Sequence, residues 1–123
     1  MSGALQMEIV QNGLVADSAT ADNAIATATI AATPNARFYL TGLIAQYSIA
    51  VALIKNITIT YTPEGASAAV SIVIPWDFSK SFPCVIALPG IVHSAYNTAV
   101  TCALAASGTG GTTGRVYLFF SAM

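Results

Sequence analysis

The segment 37–62, RFYLTGLIAQYSIAVALIKNITITYT, decides the fold that the sequence predicts. It contains no proline, a single glycine and only two charged side chains, Arg37 and Lys55. From position 56 to 62 the even positions are polar, while the odd positions of the second half are apolar apart from Lys55. That period of two is typical of a strand with one buried face, and the less regular first half is typical of a strand covered on both faces. We therefore expect two long strands that form one unit, with a bend near residues 48–50.

The rest of the chain predicts further strands that cover this unit, because two strands alone are not stable in water. Turn signals recur at short intervals, as in an antiparallel β-sandwich or barrel with about seven or eight strands. The final strand is apolar on both of its faces. The predicted strands are 24–32, 37–48, 51–62, 68–75, 84–88, 98–106 and 115–121, with one more in the N-terminal arm. Turns are predicted at 12–13, 33–35, 62–65 and 89–90, and longer connections at 76–83, 91–97 and 107–114.

The chain of 123 residues predicts one domain preceded by an arm. We place the N-terminal arm at residues 1–22 and the β-sandwich domain at residues 23–123. Within the arm, Leu5, Met7 and Ile9 alternate with polar side chains, as in a short strand. We take these three apolar side chains as candidate interface residues.

Composition indicates a surface that faces other protein. Hydrophobic residues make up 55% of the chain and charged residues only 7%, whereas an ordinary soluble domain has about 25% charged residues. Alanine, threonine, serine and asparagine replace the charges that keep a free monomer soluble. The net charge of −1 and the scattered basic residues argue against nucleic-acid binding, which requires a basic patch. The apolar run 42–54 is too short and too interrupted for a spanning helix, so we expect no membrane segment.

No combination of residues predicts catalysis or metal binding. His93 and Ser94 are adjacent, so on a strand their side chains point to opposite faces, and no third residue is placed to orient the histidine. Cys84, Cys102 and His93 are too few for a structural zinc site. The glycine-rich loop 107–114 lacks the Gly-Lys-Ser/Thr ending of a phosphate loop and is typical of a hairpin tip. We therefore expect no enzyme, no cofactor and no metal.

The two cysteines, Cys84 and Cys102, fall on separate predicted strands, where a disulfide is geometrically possible. Because the N-terminus lacks the basic region of a secretory signal, the sequence gives no indication of export. We therefore favour two buried thiols that behave as small apolar side chains.

An aromatic cluster and a polar strand face are the remaining candidate interaction sites. Trp76, Phe78 and Phe82 lie together in the connection between two strands. They could line a sugar site, anchor an interface, or fold back over the open end of the sandwich. Thr58 and Thr60 lie on the uncharged polar face of the long strand, and we take them as candidate interface residues as well.

The residues 33–43, TPNARFYLTGL, and 97–120, NTAVTCALAASGTGGTTGRVYLFF, carry a resemblance to known proteins. They resemble the small all-β decoration (cement) proteins of tailed-bacteriophage capsids, and related phage virion jelly rolls. The segment 33–43 enters the long strand pair, and the segment 97–120 is similar to the closing hairpin of such proteins. The resemblance covers residues 33–121 and does not extend to the N-terminal arm.

This resemblance implies a jelly-roll subunit on the outside of an icosahedral shell, with the major capsid protein as its partner. Such a virion protein is made in the host cytoplasm, forms a homo-oligomer with a trimer favoured, and stabilises the capsid by bridging neighbouring capsomers. The alternative from another class is a receptor- or glycan-binding module of a head fibre or tail knob. That module would use the aromatic connection 76–83 or the glycine-rich loop 107–114.

Overall fold

The computed structural model describes residues 11–80 and 83–122, without the side chains at 11, 12 and 89–93. These residues form β-strands joined by turns and loops, and the described part of the chain contains no helix. The strands are β1 (Gln11–Asp17), β2 (Ala21–Asp22), β3 (Ala26–Ile30), β4 (Phe38–Tyr47), β5 (Ile54–Tyr61), β6 (Val70–Asp77), β7 (Cys84–His93), β8 (Val100–Leu104) and β9 (Thr113–Ala122).

The strands form two antiparallel sheets that pack face to face. A five-stranded sheet has the order β1-β9-β4-β7, with β2 also paired to β9, and a four-stranded sheet has the order β3-β8-β5-β6. From β3 to β9 the chain crosses between the sheets at every connection except the β5–β6 hairpin, and the resulting strand orders are those of a jelly roll. The prediction of an all-β, antiparallel, jelly-roll-like sandwich is therefore confirmed.

The segment 37–62 does not form the two-stranded unit that its pattern suggested. β4 lies between β9 and β7 in the five-stranded sheet, whereas β5 lies between β8 and β6 in the four-stranded sheet. The residues 48–53 cross from one sheet to the other. Leu53, which the pattern placed on the inward face, belongs to this crossing and is 62% exposed. A period of two indicates which way a side chain faces, but it carries no information about the neighbouring strand.

Two predicted turns are irregularities inside strands. Leu40 pairs with Val92 and Gly42 pairs with Ala87, so residues 88–91 lie opposite a single residue of β4. The strand β7 thus continues through the Pro89-Gly90 pair that was expected to end it, and the loop predicted at 91–97 begins only after His93. Near the N-terminus, the predicted turn at 12–13 is a shift in the β1–β9 register, where Gly13 has a φ of +71°. A left-handed glycine is the usual way to accommodate such a bulge.

Part of the predicted N-terminal arm belongs to the sandwich. β1 pairs with β9 from Gln11 to Asp17, and β2 pairs with the start of β9, so residues 11–22 extend the edge of the five-stranded sheet. Residues 1–10, which include the candidate interface side chains Leu5, Met7 and Ile9, lie outside the described residues.

The core lies between the two inner sheet faces. Each fully buried leucine or isoleucine contributes about 1.5–3 kcal/mol relative to an exposed one, so the alternating strand pattern is the main source of stability. Both cysteines are part of this core. The buried core side chains include Leu40, Leu43, Ala45, Val116 and Leu118 from the five-stranded sheet and Ala28, Ile57, Ile59, Val100, Cys102 and Leu104 from the four-stranded sheet.

The centre of the five-stranded sheet depends on the missing side chain of Gly42. A Cβ atom at this position would lie 3.0 Å from the carbonyl oxygen of Ile86, a backbone atom that a side-chain rotation cannot move away. We expect Gly42→Ala to lower the free energy of unfolding by about 1–3 kcal/mol, as other overpacked substitutions do. Urea unfolding followed by fluorescence measures this change.

Gly110→Ala is the matched control, since a Cβ at Gly110 meets no atom within 4 Å. That variant should unfold within about 0.5 kcal/mol of the wild type, as most substitutions at open surface sites do. Equal urea midpoints for the two variants would contradict the close approach of β4 to β7.

Candidate interaction surfaces

Ser94 has a structural role in which its hydroxyl oxygen accepts a backbone hydrogen bond. Its backbone N–H donates to the carbonyl oxygen of Phe38 at 2.9 Å, and its Oγ accepts from the backbone N–H of Phe38 at 2.9 Å. The side chain is buried. Ser94 therefore joins the start of β4 to the chain that leaves β7, and this arrangement gives no indication of a nucleophile.

Cys84 and Cys102 are free thiols on opposite sheets, and both are fully buried. Burial raises the pKa of the Cys84 thiol to about 11. Burial, together with the neighbouring Cys84, raises the pKa of Cys102 to about 12. The interpretation of both residues as buried apolar thiols is confirmed, and neither has the low pKa of a reactive cysteine. Within residues 11–80 and 83–122, no three His, Cys, Asp or Glu side chains are grouped so that they could hold a metal ion.

The glycine-rich loop is held in place by the last residue of β2 and the residue that follows it. The Asn23 Oδ1 atom accepts from the backbone N–H of Gly108 at 2.9 Å, and the Asp22 Oδ1 atom accepts from that of Gly111 at 2.8 Å. Within the loop, the Ser107 hydroxyl donates to the carbonyl oxygen of Thr112 at 3.0 Å. Its N–H groups at 108 and 111 therefore have protein acceptors, which is the opposite of an open phosphate cradle.

The three aromatic residues 76, 78 and 82 do not share one described surface. Phe78 is 2% exposed and packs edge-to-face on Tyr47, with ring centroids 4.8 Å apart. Its side chain thus closes one end of the core, as in the alternative in which this segment folds back over the end of the sandwich, and it is not available at the surface of the subunit. Trp76 is the last but one residue of β6, not part of a connection, and is 36% exposed. Phe82 lies outside the described residues.

The outer surface of the four-stranded sheet has no charged side chain apart from Asp77 at the end of β6, and we call this uncharged part the hydroxyl face. One row of side chains crosses all four strands, because Thr29 pairs with Thr101, Thr101 with Thr60, and Thr60 with Ser71. The Thr60 and Ser71 hydroxyl oxygens are 3.0 Å apart and hydrogen-bonded. The predicted interface residues Thr58 and Thr60 both lie here and are partly buried. The hydroxyl face comprises Thr27, Thr29, Thr58, Thr60, Ser71, Val73, Thr101 and Ala103.

The outer surface of the five-stranded sheet, which we call the apolar face, differs sharply from it. Val15, Phe119, Gly42 and Ala87 form one row, and Tyr117, Ile44 and Val85 follow Asp17 in the next. Val15 is 52% and Val85 63% exposed. A groove of about 390 Å³ runs over Gly42, where the absent side chain leaves a recess. Sequence reasoning missed this face, although the apolar character of both sides of the last strand was its signal. The apolar face comprises Val15, Gly42, Ile44, Val85, Ala87, Tyr117 and Phe119.

One end of the sandwich exposes large aliphatic side chains. The loops at this end are joined by hydrogen bonds: Val51 N–H donates to the Phe78 carbonyl at 3.2 Å, and Ser48 N–H donates to the Thr113 carbonyl at 2.8 Å. This surface, which we call the apolar loop end, consists of Ile25, Ile49, Leu53 and Ile54, which are 64%, 60%, 62% and 66% exposed. The sequence did not indicate this exposure, because Leu53 and Ile54 fell within the predicted strand 51–62 and Ile25 within the predicted strand 24–32.

An ion pair lies at the margin of the apolar face. The Arg115 Nε atom donates to Asp17 Oδ1 at 2.9 Å, and Arg115 Nη2 donates to Asp17 Oδ2. The Arg115 guanidinium also lies 5.0 Å from the centre of the Tyr117 ring. The hydrogen bonds from Arg115 and from the Ala19 N–H lower the pKa of Asp17 to about 2. Both charges at this margin are therefore paired within the subunit.

Comparisons with known proteins do not assign the chain to a family. No protein-family model matches it, and no curated protein matches it. No helix among residues 11–80 and 83–122 has the length and hydropathy needed to cross a membrane. The geometry of the surfaces described above therefore supplies the argument about function.

Phe78 and Trp76 should respond differently to truncation. We expect Phe78→Ala to lower the free energy of unfolding by about 3–5 kcal/mol, because it leaves a cavity beside Tyr47. Trp76→Ala should cost less than half as much, because its ring is partly solvated at the edge of the sheet. Urea unfolding of both variants measures the difference. A larger effect at Trp76 would show that the core does not close in this way.

The Asp17–Arg115 pair should make stability depend on acid. Because the folded pKa of Asp17, about 2, lies below its ordinary value, the pair's contribution is present above pH ~4 and is lost as the pH falls toward 2. We expect Asp17→Asn to reduce the unfolding free energy at pH 6 more than at pH 2.5 in urea titrations. Arg115→Gln should reduce the pH dependence of the unfolding free energy over the same range. The double variant should reduce it little further. A pH difference that is as large in both single variants as in the wild type would contradict this, whereas a smaller one is expected because hydrogen bonds from Ser79 also lower the pKa of Asp77.

Proposed function

We propose that this chain is a structural virion protein that decorates an icosahedral bacteriophage capsid and stabilises it by bridging neighbouring capsomers. The fold by itself does not carry this proposal, because jelly rolls occur in capsid proteins, lectins and cupins alike. The resemblance of residues 33–43 and 97–120 to decoration proteins adds support. The main support for the proposal is the low charge and the exposed aliphatic side chains of the exterior.

The observation that carries the proposal is an exterior with few charges and exposed aliphatic side chains. The hydroxyl face spans four strands without a charged residue, and both arginines pair with carboxylates of the same chain, Arg37 with Glu64 and Arg115 with Asp17. The apolar loop end places four aliphatic side chains in water. Contiguous exposed apolar groups mark interaction sites on soluble proteins, since a free monomer normally covers its surface with mixed charges.

We assign the contact with the major capsid protein to the apolar loop end. Its four aliphatic side chains are all at least 60% exposed, so docking them on another protein removes a large apolar area from water. The hydrogen bonds of Ser48 and Val51 hold the segment that carries Ile49 and Leu53 before binding, which lowers the ordering cost. A subunit that binds the assembled shell and not the free capsid protein stabilises the shell by mass action, by about 2.7 kcal/mol per site at 100 times Kd. Repetition over a symmetric shell adds avidity.

The alternative, a receptor- or glycan-binding module, has less support from the described residues. Of the three aromatic side chains that would form a sugar site, Phe78 is buried and Trp76 alone is accessible among those described. The glycine-rich loop has its N–H groups at 108 and 111 already bonded by Asn23 and Asp22.

Shell binding tests the proposal directly. Purified protein is added to heads of the encoding phage that lack it, and co-sedimentation and the temperature of head disruption are measured. We expect saturable binding and a higher disruption temperature. Ile49→Asp with Leu53→Asp should abolish both, because charges on the apolar loop end would be buried without partners. Ser67→Asp with Ala69→Asp, exposed at the opposite end, makes the same charge change and should bind as the wild type does.

An unchanged disruption temperature at saturating protein would exclude the cement role. Binding to a glycan array without binding to heads would favour the alternative. Removing residues 1–10 in the same assay tests the predicted contribution of Leu5, Met7 and Ile9, and Thr58→Lys with Thr60→Lys tests that of the hydroxyl face.

A further inference from the structure

The five-stranded sheet carries apolar side chains on both of its surfaces. Antiparallel sheets at a protein surface usually alternate between apolar inward and polar outward side chains, and the four-stranded sheet follows that rule. In the five-stranded sheet, Ile44, Tyr117 and Phe119 alternate with the core residues Leu43 and Leu118 and face away from the core. Among the described residues, the apolar face is thus left without a partner inside the subunit.

We infer that a second copy of this chain packs on the apolar face. The strands β4 and β9 have ten residues each, so at about 3.3 Å per residue and 4.8 Å between strands the four-strand surface measures roughly 30 by 19 Å. This outer surface of the whole sheet, roughly 600 Å² in projection, approaches the ~800 Å² that each partner contributes to a stable interface; the apolar face is its centre, and the paired residues Gln46 and Arg115 lie at one margin. Aromatic residues such as Tyr117 and Phe119 are enriched at such interfaces.

Charge and shape indicate a copy of the same chain as the occupant. The charged residues at the margin, Asp17 and Arg115, neutralise each other. The face therefore presents no net charge that would repel an identical surface, and none that would attract a partner of opposite charge. Val85 projects at 63% exposure beside the groove over Gly42. A knob next to a recess on one surface lets two copies exchange the same contact, as an isologous interface requires.

The inference concerns the isolated protein and does not rest on the proposed function. Self-association is measured without capsids, so its failure leaves the shell-binding test unaffected, and the reverse also holds. Val73 offers a matched control for Val85: both are valines on the outer surface of an edge strand, 53% and 63% exposed, but Val73 belongs to the hydroxyl face.

Light scattering during size exclusion and sedimentation equilibrium give the mass of the wild type and of each variant. We expect a wild-type mass that is a multiple of the 12.6 kDa chain. Val85→Asp should weaken association by about 100-fold or more, since it buries a charge without a partner, while Val73→Asp should keep the wild-type mass. Urea midpoints identify any variant that fails to fold, and Ala87→Arg, also exposed on the apolar face, then replaces Val85→Asp.

A monomeric wild type at the highest soluble concentration would overturn the inference. The inference would also be overturned if Val73→Asp dissociated the oligomer while folded Val85→Asp or Ala87→Arg left it intact. The copies would then meet at another surface.

Discussion

The pairing of β4 with β9 holds the molecule together. β9 binds β4 on one side and β1 and β2 on the other, so residues from both ends of the chain meet in one sheet, with Gln11 opposite Ala122. None of these contacts is local, and each requires a long loop to be closed before it stabilises anything. Gly42 lies in the middle of this arrangement, where a side chain would collide with the backbone of β7. The close fit of β4 between its two neighbours therefore depends on a single absent Cβ atom.

Closing the sandwich buries one side of each sheet and gives the other sides different properties. The hydroxyl face presents threonine and serine hydroxyls, which form hydrogen bonds with water or with each other. The apolar face presents side chains such as Ile44, Val85 and Phe119, which form none. This asymmetry separates two kinds of contact in our proposals: copies of the chain meet at the apolar face, and the capsid protein meets the apolar loop end. A subunit with both contacts can form a closed oligomer that touches several capsomers at once, which is the geometry that bridging requires.

Both arginine side chains form ion pairs within the subunit. The Arg37 guanidinium is 2.5 Å from the Glu64 carboxylate, and it lies 4.9 Å from the centre of the Tyr96 ring. Arg115 has the same two kinds of partner in Asp17 and Tyr117. Exposed ion pairs add little stability. Their effect is to leave little free charge on the exterior, which lowers the cost of burying it against other protein.

The sequence alone determined the strand content, the inward side chains of the long strands and the buried cysteines, because alternation and turn chemistry are local. It placed strands near all of the long observed ones and predicted Thr58 and Thr60 on an uncharged outer surface. It could not determine that the halves of 37–62 belong to different sheets, that β7 continues past Pro89-Gly90, or that Phe78 is buried while Leu53 is exposed. Those outcomes depend on which strands become neighbours, and the neighbours are distant in the chain. The apolar face likewise forms only when β1, β9, β4 and β7 lie side by side. Alternation in the sequence shows that each strand has two faces, but it does not show which of them the second sheet covers.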